Sequence, residues 1–208
     1  MQNMFITIDG GDGCGKSTQL KLLEKRLSDC GHNVVTCYDP GCTPLGERVR
    51  EILLHGHELE IATRTEMFLF MAARSQLVEE IIRPALATGK TVLCDRFLLS
   101  TIVYQGIAGG VSVDEITEAG RIAVYGVMPD IGFVLDVPYE VSQQRLKISR
   151  DKADRMESKG ETYHRKVREG FVSYATIEPN RYVIVDASQP VDVVATAIWT
   201  AVCNKTAN

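Results

Sequence analysis

Gly10-Gly11-Asp12-Gly13-Cys14-Gly15-Lys16-Ser17 satisfies G-x-x-x-x-G-K-[ST] at every specified position. Its residue types dictate a chemistry. Glycines allow positive φ and close backbone approach, so successive N–H groups can turn inward around phosphate oxygens. Lys16 has the reach for β- and γ-phosphates, and the Ser17 hydroxyl is suited to Mg²⁺. Glycine-rich turns also arise by chance, so the flanks decide. Residues 4–8 form a β-prone run, and after Thr18 the residues Leu20, Leu23 and Leu27 keep helical spacing. Strand, loop and helix in that order set the phosphates at a helix N-terminus. The stretch predicts a nucleoside triphosphate site, without yet predicting a reaction.

Carboxylates and arginines elsewhere supply the rest of a phosphoryl-transfer kit. Asp95-Arg96 ends an apolar run (91–94), where a phosphate-loop enzyme places the carboxylate that helps position Mg²⁺. The same pair could simply cap the next helix. Asp9, just before the loop, can face the metal's water shell or a substrate hydroxyl. The segment 149–161 (SRDKADRMESKGE) carries eight charges in thirteen residues, including Arg150 and Arg155. It reads either as a solvated surface or as a flap whose arginines close over a transferring phosphate and exclude water. Phe70 and Arg74 lie one turn apart on a helical pattern, so a flat ring such as a pyrimidine can stack on one while the other donates to it. Alone, each reads as core or as a surface ion pair. The polar cluster of Ser100, Thr101, Tyr104 and Gln105 strengthens the binding reading. A regulatory GTPase is disfavoured: Asn204-Lys205-Thr206-Ala207 lacks the carboxylate of a guanine-reading motif, and DxxG occurs only inside the loop itself.

These groups need a scaffold, and the apolar pattern supplies one. Strands are expected at 4–8, 34–38, 91–94, 131–136 and 182–186. Helices are expected at 44–54, 62–86, 100–105, 113–124, 139–149, 160–177 and 191–203. Alternating strands and helices predict an α/β fold: a three-layer arrangement with a five-stranded parallel sheet covered on both faces. Ligands then gather at the carboxyl strand ends, which hold Asp9, Asp39, Asp95, Asp136 and Asp186. With 208 residues, 45% apolar and 24% charged, a single domain with a lid near 149–161 is expected. The net charge of −4 argues against a nucleic-acid or membrane-surface binder. The six cysteines lack metal-ligand spacing and are expected as thiols, and the absence of a signal or membrane-span pattern suggests a cytoplasmic protein.

The residues together resemble the thymidylate kinase family of bacterial type. The resemblance rests on DGGDGCGKST, FLFMAARSQLVEEIIRPAL, CDRFLLSTIVYQG, MPDIGFVLDV, the DRME of the flap and VDASQP, in that order along almost the whole chain. It implies ATP-dependent phosphorylation of dTMP to dTDP with Mg²⁺, in dTTP biosynthesis, by a homodimer formed through helices beside the acceptor site. ATP would be held by residues 10–18 (Gly10, Gly11, Asp12, Gly13, Cys14, Gly15, Lys16, Ser17, Thr18), and the metal by Ser17 with Asp9 and Asp95. dTMP would contact Asp9, Asp39, Phe70, Arg74, Arg96, Ser100, Tyr104 and Gln105, with thymine on Phe70, its O4 at Arg74 and its phosphate at Arg96. Lys16, Asp9, Arg96, Arg150 and Arg155 would form the catalytic set, and the adenine would lie near 186–190. Because Gly13 occupies the loop position where some members carry an arginine, the flap must supply it. The family's Arg-Glu-Pro-Gly-Gly is here Tyr38-Asp39-Pro40-Gly41-Cys42, which shortens the carboxylate stem and removes the base. The alternatives are a kinase for a different nucleotide or nucleoside, and an ATP-binding protein without catalysis.

Overall fold

Five apolar runs become five parallel strands: β1 (Phe5–Asp9), β2 (Val34–Tyr38), β3 (Thr91–Asp95), β4 (Ile131–Asp136) and β5 (Tyr182–Asp186). The structure is a computed structural model describing residues 3–56, 58–149 and 155–207. The sheet order is β2-β3-β1-β4-β5. Central β1 sets Ile6 beside Leu93 on one neighbour and Ile131 on the other. Being covered on both faces, β1, β3 and β4 are almost wholly buried, which is why they read as continuous apolar runs.

Alternation along β1 sends Ile6 and Ile8 to one face and Phe5 to the other. On the first face they meet Leu20, Leu23 and Leu27 of α1 (Lys16–Asp29) and Val194 and Ile198 of α9 (Val191–Ala207). On the second, Phe5 packs with Met67, Met71 and Leu77 of α3 (Thr63–Leu77), Phe97, Ile102, and Ile116 of α6 (Val113–Val124). Beside that cluster, Val167 and Phe171 of α8 (Glu161–Ile177) close over Val134 and Tyr104. Helix α2 (Pro44–His55) is capped by Thr43 Oγ1 accepting from Gly46 N at 2.9 Å, and α7 (Tyr139–Ser149) follows β4.

The helix expected over 62–86 is interrupted by a π-helical turn at Val78–Ile82 before α4 (Arg83–Ala87). Pro84 accounts for it, since it has no N–H for the α-ladder and its ring crowds the carbonyl four residues back. The helix expected over 100–105 is α5 (Leu98–Thr101) followed by a second π turn, Ile102–Ile107. Chain direction across the sheet reverses at β1, between β3 and β4, so a crevice opens at the carboxyl end of β1. The phosphate loop leaves β1 there.

Candidate active site

The loop from Gly10 to Gly15 keeps its shape because two glycines sit where no side chain fits. A Cβ on Gly10 (φ 139°) would come within 2.7 Å of Leu135 O, and one on Gly13 (φ 75°) within 2.5 Å of Ser142 O on α7. An arginine at position 13 is therefore closed to this chain unless α7 shifts. Helix α1 begins at Lys16 with no side-chain cap, which leaves the N–H groups of its first turn to an anion. Ser17 and Thr18 are exposed on that turn. Lys16 folds back over the loop, donating to Gly11 O at 2.9 Å and Gly10 O at 3.3 Å, and lies 3.9 Å from Asp12. Cys14 is buried beneath it, and burial pushes its thiol up.

Arg96 adopts a left-handed backbone conformation (φ 67°), an outlier that re-aims its side chain from the end of β3 across the loop. Its Nη1 donates to Gly10 O at 2.8 Å and Ser100 Oγ at 3.2 Å, and its Nη2 pairs with the Asp12 carboxylate. Tyr104 places its ring 5.2 Å below the guanidinium and donates its hydroxyl to Asp12 at 3.1 Å. Burial alone would raise the Asp12 carboxyl; Arg96, Lys16 and the Tyr104 hydrogen bond outweigh it and hold the group at about 2. Asp9 stands behind this layer. Its Oδ1 accepts from Ser100 Oγ at 2.7 Å, its Oδ2 has no hydrogen-bond partner among the described residues, and burial pushes its carboxyl up.

Opposite the loop, Arg74 and Asp39 form a fully buried pair, with Nε donating to Oδ2 at 2.6 Å. Arg74 Nη2 also donates to Thr101 Oγ1 at 2.8 Å. The shorter stem at position 39 thus still reaches the guanidinium. Tyr38 donates its hydroxyl to Glu47 at 2.6 Å and lies 5.1 Å under Arg50, whose Nη1 donates to Pro40 O at 2.8 Å. Arg50 lines the same space as Arg74 and Asp39.

A cavity of ≈ 940 Å³ joins the two halves, walled by Lys16, Ser17 and Thr18 at one end and by Phe70, Arg74 and Gln105 at the other. Asp12, Gly13, Gly15, Asp39, Arg50, Asp95, Arg96, Ser100 and Tyr104 line it as well. Buried Asp9 is tied to this wall through Ser100. Asp95, whose Oδ1 is buried without a partner among the described residues, lines the same cavity as Ser17. That pair fits Mg²⁺, which takes one or two protein oxygens plus waters and phosphates; among the described residues no three acidic, His or Cys side chains form a cage.

Of the flap, Arg150 lies outside the described residues. Arg155 donates Nε to Leu53 O at 2.9 Å and pairs through Nη2 with buried Glu66 at 2.7 Å. In this arrangement its guanidinium is engaged by α2 and α3. Two strand-end carboxylates have structural work: Asp136 takes a two-pronged contact from Arg168 (2.7 and 2.9 Å), and Asp186 accepts from Ser188 N and Gln189 Nε2 to shape the following turn. Arg145, also on the cavity wall, clamps that turn through Ala187 O at 3.1 Å.

The thymidylate kinase family model matches residues 8–198, spanning both ends of this cavity. The chain belongs to the thymidylate kinase family. It is 42% identical over 204 residues to the thymidylate kinase of Deinococcus radiodurans, covering 98% of each chain. It is 45% identical over 194 residues to that of Rhodopirellula baltica, covering 93% of this chain and 78% of the relative. The crystal structure of thymidylate kinase from Ehrlichia chaffeensis superposes with a TM-score of 0.78 at 31% identity, over 97% of this chain and 99% of that one. The family's five-stranded sheet and flanking helices are those described above. Three site neighbours escaped the sequence reading: Arg50, Arg145 and Glu66. A signal existed for Glu66, which lies four residues before Phe70 and so shares its helical stripe.

Proposed function

We propose that this protein transfers the γ-phosphoryl group of ATP to the 5′-phosphate of dTMP, releasing ADP and dTDP. The observation that carries the reading is a continuous cavity lined both by the glycine-rich loop and by Phe70 and Arg74. An acceptor phosphate oxygen attacks the γ-phosphorus while its bond to the β,γ-bridging oxygen breaks, so both phosphate tails must meet in line between the two ends. Backbone N–H groups of the loop and of the first turn of α1 would hold the β- and γ-phosphates, with Lys16 turning from Gly10 O and Gly11 O towards them. Arg96 would hold the acceptor phosphate, exchanging part of its contact with Asp12 for it, and Arg50 would add a second positive group. Phe70 would stack the base, Arg74 would donate to O4, and Ser100, Tyr104 and Gln105 would line base and sugar. Flap arginines, Arg150 above all, would neutralise charge on the transferring group.

Ser17 and Asp95 would hold Mg²⁺, which would supply charge neutralisation at the β- and γ-phosphates. The whole chain acts as one domain with the flap at 149–161. Large exposed apolar side chains on α3 and α6 (Phe68, Ile122) and at Tyr125 support homodimer formation through those helices. Among the described residues no helix is long and apolar enough to cross a membrane, which accords with a cytoplasmic setting. An ADP-release assay at fixed MgATP with dTMP, dUMP, dCMP, dGMP and thymidine tests the reading. dTMP is expected to be the best acceptor, with dUMP roughly 10- to 200-fold worse for want of one methyl group. No acceptor-stimulated ADP, or a better acceptor than dTMP, would overturn it.

A further inference from the structure

We infer that Glu66 decides which pyrimidines the acceptor pocket admits, by fixing which way the Gln105 side-chain amide faces. The inference rests on the reading that the base lies between Phe70, Arg74 and Gln105. Glu66 precedes Phe70 by one helical turn on α3 and is 1% exposed. Around its carboxylate stand Arg155 at 2.7 Å, Lys159 Nζ at 3.0 Å and Gln105 Nε2 at 3.2 Å.

A glutamine amide has nearly the same shape either way round, so its partners determine which end faces where. Flanked by the two cations Arg155 and Lys159, the Glu66 carboxylate is an acceptor of hydrogen bonds. It therefore draws the Gln105 NH₂ group, because the turned amide would set oxygen against oxygen inside a buried site. Gln105 lines the cavity, and with nitrogen committed to Glu66 its Oε1 is the atom left to meet a ligand. A carbonyl oxygen takes a ring N–H. Thymine and uracil carry one at N3, whereas cytosine presents a bare acceptor there and would be repelled. Glu66 thus never touches the acceptor; it is a positioning residue, acting through Gln105.

The test compares kcat/KM for dTMP and dCMP in the unaltered protein, Glu66→Gln and Glu66→Asp. A glutamine at 66 can offer Gln105 either a donor or an acceptor, so the amide is free to turn. The dTMP-over-dCMP preference is expected to shrink about tenfold or more in Glu66→Gln, the worth of one mismatched buried hydrogen bond, and to stay within about threefold in Glu66→Asp. Loosening of the flap affects both acceptors alike and cancels in the ratio. An unchanged ratio in folded Glu66→Gln would overturn the inference and leave dTMP phosphorylation standing; no dTMP turnover by the unaltered protein would remove both. Should Glu66→Gln fail to fold, a neutron structure of the unaltered protein decides: deuterons of the Gln105 amide are expected on the Glu66 side, and on the cavity side they would refute it.

Discussion

Replacing Gly13 by alanine puts the fit between the phosphate loop and α7 to a quantitative test. Two costs apply. A φ of 75° is open to glycine and strained for alanine, at about 1–2 kcal/mol. The new methyl would also stand 2.5 Å from Ser142 O, a backbone atom that cannot rotate away, adding about 1–3 kcal/mol of overpacking. Gly15 provides the control, since it too has positive φ (96°) but nothing within 4 Å of its Cβ position. Gly15→Ala should therefore bear only the backbone cost. For a chain of this length each kcal/mol lowers Tm by about 2–4 °C. Without nucleotide, Gly15→Ala is expected to lose about 2–8 °C and Gly13→Ala about 4–20 °C, with urea midpoints in the same order. Gly13→Ala should also raise the KM for ATP, because α7 must be pushed off the loop. A Gly13→Ala protein that melts no lower than Gly15→Ala would refute the claimed contact.

Asp39→Asn leaves Arg74 buried with its charge unopposed; a loss of about 3–5 kcal/mol in urea unfolding and a raised KM for dTMP are expected. Asp12 has a folded-state value of about 2, below the ordinary 3.8, so its contribution is complete above the latter and disappears as pH falls through the former. Stability curves between pH 4 and 2 should accordingly be flatter in Asp12→Asn, by about 2 kcal/mol across the window; parallel curves would contradict the Arg96–Asp12–Tyr104 network. Arg150→Ala is expected to cut kcat roughly 10³-fold with little change in the KM for dTMP, measured at saturating MgATP. Arg155→Ala should lower kcat too, and in addition destabilise the fold by about 2 kcal/mol by stripping Glu66 of one cation, which a thermal melt reads.

The scaffold was legible because its signals are local. Each parallel strand announces itself as an apolar run, and each flanking helix by its three- and four-residue steps. The phosphate loop is equally local, with strand, glycines and helix consecutive in the chain. What the residues alone concealed were pairings between distant charges: Arg74 with Asp39, 35 positions away, and Lys159 with Glu66, 93 away. Periodicity places Arg74 and Glu66 on one stripe but says nothing of what faces them. Arg50 carries no signal of its own in the sequence, because what sets it on the cavity wall is the Tyr38 ring and the Pro40 carbonyl. Asp9, expected at the metal or the acceptor by its proximity to the loop, ends β1 and is buried, with its Oδ1 on the Ser100 hydroxyl. Both π turns were likewise invisible as such, because five-residue hydrogen-bond spacing leaves no distinct apolar period over a single turn.

That second widened turn, Ile102–Ile107, makes the cavity wall depend on residue count as well as residue type. A π turn holds one residue more than an α turn, so dropping one codon there would restore ordinary winding, leave the chain beyond it in place and re-aim the residues inside it, Tyr104 and Gln105 among them. The stretch is thus open to a mode of change that leaves every surviving side chain intact. A library built from point substitutions would never sample it, whereas single-residue deletions across 102–107 would retarget the pocket in one step.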